Sequence, residues 1–141
     1  MWQAKTLQYL TALELWKIYR LRVSVFVVEQ NCPYQEVDEL DKSAVHFWRE
    51  IDGEIRAYCR IIDAADSVKI GRVIVAKPAR GTGLGRELMA NAIALGKNRF
   101  PNKPIYVQAQ AYLQQFYTSF GFKAISGEYL EDGIPHLDMI L

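Results

Sequence analysis

The turn Arg80-Gly81-Thr82-Gly83-Leu84-Gly85 holds the residues of this chain best suited to gripping an anion. Three glycines within five positions leave backbone N–H groups with no Cβ between them and a ligand. A helical pattern follows from Arg86 to about Asn98, and its start points unpaired N–H groups and partial positive charge at the same spot. Apolar Val73-Ile74-Val75 precedes the turn and reads as a buried strand end. Strand, glycine turn and helix in that order form a cradle for a pyrophosphate. Proton-transfer groups lie elsewhere. Five acids, Glu29, Glu36, Asp38, Glu39 and Asp41, fall in one irregular stretch, and the two histidines are His46, just after it, and His136. Carboxylates and imidazoles are the groups that take a proton from a nucleophile. Cys32 and Cys59 fit no metal spacing and no disulfide framework, and no Cys/His/acid set can be assigned from spacing.

Around these residues the chain is punctuated by clear local signals. A strand over about Trp2 to Leu7 leads to Thr11, three residues before Glu14, the spacing of a capping box. Leu13, Trp16, Tyr19, Val23, Phe26 and Val27 then recur at threes and fours, predicting a helix to about Val27 with Trp16, Tyr19 and, farther on, Trp48 in the core. Glu29 to Lys42 reads as a long acidic loop of the kind more often functional than idle. Ala44 to Glu50 and Glu54 to Ile62 are strand-like runs joined by Asp52-Gly53, a hairpin signal. Another strand, Ser67 to Val75, feeds the glycine turn. Beyond the helix come a strand at Ile105 to Ala109, a short helix from Leu113 to Phe120 stopped by Gly121, and strands at Phe122 to Tyr129 and His136 to Leu141. The expected architecture is α/β, a mixed sheet of about seven strands with flanking helices, in one domain over residues 1–141. Its parallel part is the unit from Val73 to Ala109.

Composition limits the function. The 141 residues carry a net charge of +1 with no cluster of Lys and Arg, so a nucleic-acid or membrane-surface role has no electrostatic footprint. Half the residues are hydrophobic, enough for a well-filled core. Unpaired cysteines, no apolar segment after the first residues and no long apolar run are the pattern of a cytoplasmic protein. The cradle itself excludes two owners. A dinucleotide fold places its glycines after the first strand with an acid some twenty residues on, and here the turn follows the fourth strand with Ile105, Tyr106 and Val107 in that place. A P-loop ends in Gly-Lys-Ser/Thr, whereas Gly85 is followed by Arg86-Glu87.

Arg80, Gly83 and Gly85 meet the pattern Arg/Gln-x-x-Gly-x-Gly/Ala, which resembles the acyl-CoA-binding motif of the GNAT superfamily of N-acetyltransferases. Val73-x-Val75 looks like that family's central strand, and Phe116-Tyr117 with Gly121-Phe122 resembles its second hallmark. One departure is Lys77-Pro78 where many members have the proline a residue earlier. The likeness is closer still to the ElaA-like subfamily. It is carried by Arg22 and Val25 to Gln30, by Cys32-Pro33-Tyr34, Glu36, Asp38, Asp41 and His46, by Gln108 to Ala111, and by Asp132-Gly133-Ile134-Pro135-His136.

The resemblance implies acetyl-CoA as cosubstrate, with no metal, and a small-molecule or peptide amine as acceptor. It implies that Val73 and Val75 pair with the pantetheine arm. The N–H groups of Gly81, Thr82, Gly83, Leu84, Gly85 and Arg86 then bind the pyrophosphate, with Arg80 and Arg86 adding charge. Tyr117 is the candidate general acid for the departing thiolate, Tyr112 a weaker substitute, and Glu36, Asp38, Asp41, His46 and His136 are candidate bases. A binding module that keeps the pocket without efficient transfer is the alternative. Edge strands on a mixed sheet favour a homodimer, with no nucleic acid or membrane partner.

Overall fold

A computed structural model describes residues 1–141. Eight strands form one mixed sheet: β1 (Trp2–Thr6), β2 (Val45–Ile51), β3 (Glu54–Asp63), β4 (Val68–Val75), β5 (Ile105–Gln110), β6 (Lys123–Ala124), β7 (Tyr129–Glu131) and β8 (Ile134–Ile140). Their order across the sheet is β1-β2-β3-β4-β5-β8-β6, with β7 also on β8. Three helices join them: α1 (Ala12–Arg22), α2 (Leu84–Arg99) and α3 (Gln114–Thr118). No helix is long and apolar enough to cross a membrane.

The local signals have visible causes. Thr11 and Glu14 form both halves of the capping box at the start of α1. Asp52 and Gly53 both take positive φ (55° and 79°), as do Asp132 and Gly133 (51° and 77°), which is the backbone a two-residue hairpin needs to match strand twist. Gly121, at φ 101°, ends the short helical segment after α3.

Alternation along the strands separates two cores. One face packs Val45, Phe47, Ala57, Cys59, Val107, Ala109 and Leu137 against Leu84, Leu88, Met89 and Ala92 of α2 and Tyr117 of α3. The other packs Trp48, Tyr58 and Ile74 against Ile18 of α1 and Val25 and Phe26 beyond it. The residues between 30 and 44 roof the second face.

Three expectations need correction. The α-helix ends at Arg22, and Val23–Glu29 winds as a wider π-helix, with bonds from Gln30 N–H to Val25 O and from Cys32 N–H to Val27 O. A run of β-branched residues favours neither turn of an ordinary helix, and π turns recur at functional sites. The buried stripe of this region is Ile18, Arg22, Val25 and Phe26, so Leu13 and Trp16 face solvent at 60% and 56% exposure, and the Arg20 guanidinium covers the Trp16 ring. A charged residue on the inward face hid the stripe, because Arg22 counted against it. The run from Phe122 to Tyr129 is likewise not one strand but splits into β6 and β7, giving eight strands.

Candidate active site

β4 and β5 run parallel, yet they pair only at their first residues, Val68 with Ile105 and Lys69 with Tyr106. β4 then bends away. Its register against β3 shifts between Tyr58 and Arg60, where Arg72 takes a φ of 52°, an extra residue of the bulge type that turns a strand and ends a pairing. The gap between the diverging strands is a cleft of about 870 Å³, lined by Val73, Val75, Gly85, Gln108, Gln110 and Tyr117, among others.

Glycines set α2 against this gap. A Cβ on Gly96 would touch Val68 at 3.4 Å, and one on Gly85 would touch Val75 Cγ2 at 3.3 Å. The helix therefore lies close along β4 with its N-terminus over the end of that strand, where the cleft opens. Gly83 is the N-cap, at φ 85° with no side chain capping the helix, so its first N–H groups remain free for an anion. A Cβ at Gly81 or Gly83 would meet no protein atom within 4 Å, so neither glycine is there for packing. Both take φ near 80°, which a larger residue adopts only under strain. Leu84 turns its side chain into the core and offers only its backbone.

The Ala76 N–H bonds to the Arg56 carbonyl of the neighbouring strand, so by alternation Val75 turns its own N–H and C=O toward the cleft, as does Val73. Arg80 donates from Nε to the Val75 carbonyl at 2.9 Å and pairs through both Nη atoms with Glu29. It thus fastens the exit of β4 to the end of the π-helix. Its side-chain bond and charge hold the Glu29 carboxyl below its usual range. Arg86 bonds to Ser119 Oγ and lies over the Phe120 ring, tying the start of α2 to the segment after α3.

Tyr117 is 4% exposed, with edge-on contacts to Phe116 and Phe122. It reaches the cleft from the α2 side, and burial pushes its hydroxyl pKa well up. Tyr112 lines the same cleft but is 75% exposed. Cys32 donates to the Asp132 carbonyl on the other side of the sheet, and Cys59 is buried, its thiol pKa raised by desolvation.

The candidate bases part company. Arg22, fully buried, donates from Nε to Glu36 and from both Nη atoms to Asp41. Arg60 holds Asp38 and Asp41, and Arg72 holds Glu36 and Asp38. Three guanidiniums face three carboxylates under the roof of the second face. Burial raises the Asp41 pKa, but bonds and charge from Arg22, the Asp38 N–H and Arg60 outweigh it and hold it at about 2. Asp38 is also shifted down: desolvation opposes Arg60 and Arg72, and the arginines prevail. Carboxylates fixed in this way are poor proton acceptors. His46 has no exposure; its Nε2–H donates to the Asp41 carbonyl and its Nδ1 accepts a hydrogen bond from the Tyr58 hydroxyl. Desolvation keeps it neutral, its pKa lowered. Of the five candidates only Asp38 and His136 line the cleft. No group of three or more His, Cys, Asp or Glu is arranged to hold a metal ion.

Sequence reasoning passed over Arg60, Arg72 and Tyr58. A signal was present for the arginines: each interrupts an apolar strand run, and a cation in such a place needs buried carboxylate partners.

Comparison with known proteins gives this arrangement its relatives. A family model described as an acetyltransferase (GNAT) domain matches residues 17–141. Protein ElaA of Escherichia coli strain K12 is 42% identical over 98% of this chain and 94% of its own length, and a UPF0039 protein of Schizosaccharomyces pombe is 47% identical over 91% and 87%. The crystal structure of E. coli ElaA superposes with a TM-score of 0.95, covering 99% of this chain and 98% of that one. An acyl-CoA N-acyltransferase from Pseudomonas aeruginosa, 43% identical, has the same TM-score over 99% and 97%. Family model, full-length relatives and backbone agree, and this chain belongs to the GNAT acetyltransferase superfamily, in its ElaA-like branch.

Proposed function

We propose that the protein transfers an acetyl group from acetyl-CoA to a primary amine by direct attack within a ternary complex, with Tyr117 as general acid. The observation that carries this reading is the divergence of β4 and β5 directly under the N-terminus of α2, with Tyr117 on the wall of the resulting cleft. The residues present fit the donor: free N–H groups and open space at Gly81 and Gly83 suit a pyrophosphate, and the cleft-facing backbone of Val73 and Val75 suits an amide-bearing arm. Acetyl-CoA supplies the acetyl group as a thioester. The Val73 N–H, the cleft-facing one farther from the glycine cradle, donates toward the carbonyl oxygen, where negative charge grows during attack, and Tyr117 gives its proton to the departing sulfur. Holding both reactants in one cleft supplies most of the remaining acceleration.

Calorimetry with acetyl-CoA, then thiol release over a panel of amines, tests the proposal. Binding followed by amine-dependent release supports it. Tight binding with no release for any amine identifies a CoA-binding module instead. Gly83→Val is expected to weaken CoA binding about 10- to 100-fold, the loss of one or two charge-assisted hydrogen bonds. An unchanged dissociation constant would place the pyrophosphate elsewhere.

A further inference from the structure

We infer that His136 is the general base of this site, taking the proton of the acceptor amine on Nε2 from the side of the sheet opposite Tyr117. The inference rests on the acetyl-transfer reading and deepens it by assigning the second proton transfer.

Geometry selects the residue. His136 lines the cleft with a side chain 12% exposed. Its Nδ1 lies 2.7 Å from the Ile134 carbonyl oxygen. A carbonyl only accepts, so Nδ1 carries the hydrogen and Nε2 keeps its lone pair. The ring is fixed by stacking on Tyr129, and no hydrogen bond occupies Nε2; its near neighbour is Glu131, at 3.9 Å. Glu131 lines the same cleft and is the counter-charge for an imidazolium. The other candidates lack this freedom. Glu36, Asp38 and Asp41 are paired with arginines, and both nitrogens of His46 are bonded away from the cleft.

Its position on the sheet completes the case. Leu137, next along β8, points into the α2 core, so His136 faces the other side, where Tyr34, Cys32 and Asp132 also border the cleft. Tyr117 enters from the α2 side. An acid for the leaving sulfur and a base for the attacking amine then reach the cleft from different sides of the sheet, so the two proton transfers use separate groups. In the step, His136 Nε2 receives one proton from nitrogen as the new C–N bond forms. The C–S bond breaks, and the sulfur takes the Tyr117 proton. Solvent then reprotonates the phenolate and removes the imidazolium proton, leaving an amide and a thiol. The titratable and charged groups around the imidazole are Glu131 and Tyr129 from β7, Asp132 in the turn, Asp138 bonded to Tyr129, and Cys32 and Tyr34 from the roof.

The test measures thiol release from saturating acetyl-CoA with phenethylamine and with hydroxylamine, each corrected for its rate without enzyme. His136→Gln should lower kcat about 100-fold with either amine, since each nitrogen sheds a proton as the new C–N bond forms. Acetyl-CoA affinity and Tm should match wild type. Added imidazole should restore part of the activity of His136→Ala. A His136→Gln enzyme within about threefold of wild-type kcat, or a His136→Ala enzyme that added imidazole leaves unchanged, overturns the base assignment alone. Wild-type protein that fails to bind acetyl-CoA overturns the proposed function, and this inference with it.

Discussion

Replacing Tyr117 with phenylalanine should lower kcat for thiol release by about 10² to 10³ while leaving acetyl-CoA affinity within about twofold. The ring sits edge-on between Phe116 and Phe122 and belongs to the α2-side core, and phenylalanine keeps all of that packing. Only the hydroxyl is lost. Its ring is packed among apolar side chains, so a thiolate expelled beside it is less well solvated than in bulk water, and protonation at sulfur matters more there. The same burial raises the pKa of the phenol, which therefore stays protonated, and competent as an acid, throughout neutral and mildly alkaline pH. Wild type and Tyr117→Phe should accordingly share one alkaline profile shape and differ by a constant factor. Activity within about threefold of wild type would remove Tyr117 from the chemistry and turn attention to Tyr112 on the same cleft.

Most of the scaffold that positions Tyr117 was legible because it depends on local rules. Asp52-Gly53 and Thr11-x-x-Glu14 act through a few neighbouring backbone groups, and each did in the fold what its spacing implied. Gly81, Gly83 and Gly85 announced the helix entry for the same reason, although two kinds of glycine are mixed there. Gly85 is small so that α2 can touch Val75, while Gly81 and Gly83 supply positive φ beside open space. The inward face of α1 was not legible. Its stripe passes through Arg22, and a sequence read for apolar periodicity assigns such a residue to solvent.

The glycine cradle was legible and the surroundings of the acids were obscure for a related reason. The cradle is made of backbone groups, and glycines report backbone geometry directly. The acids between residues 29 and 42 carry no such report: a carboxylate waiting for a substrate and one buried against an arginine look alike in sequence. Their partners, Arg22, Arg60 and Arg72, lie on a helix and two strands, so only the assembled sheet shows that Glu36, Asp38 and Asp41 are occupied. The residues that carry the ElaA-like resemblance in this region therefore build the wall of the cleft. His136 is distinguished by the opposite circumstance, a nitrogen left free.

Arg22→Ala should cost about 3–5 kcal/mol of folding stability, measured by denaturant unfolding, because removal of one partner strands buried charge. Arg22 is wholly buried and bridges Glu36 to Asp41, joining α1 to the roof that places Cys32, Tyr34 and Asp38 on the cleft. Arg72 and Arg60 retain one contact each to Glu36 and Asp41, so the cost should fall short of complete unfolding where the wild type is very stable. Arg22→Lys should recover only part, since an ammonium cannot bond two carboxylates in the fork geometry of a guanidinium. A loss below about 1 kcal/mol for Arg22→Ala would mean that the network contributes no more than a surface pair. Acid should weaken the same network in two stages. His46 is held neutral with a pKa below its ordinary 6.5, so as pH falls past that value the unfolded chain binds a proton that the folded one refuses, and stability declines. Asp41 adds a second decline between its ordinary 3.8 and about 2, where the unfolded carboxyl is protonated before the folded one. His46→Gln should remove the first stage and Asp41→Asn should flatten the second, which Asp38 shares.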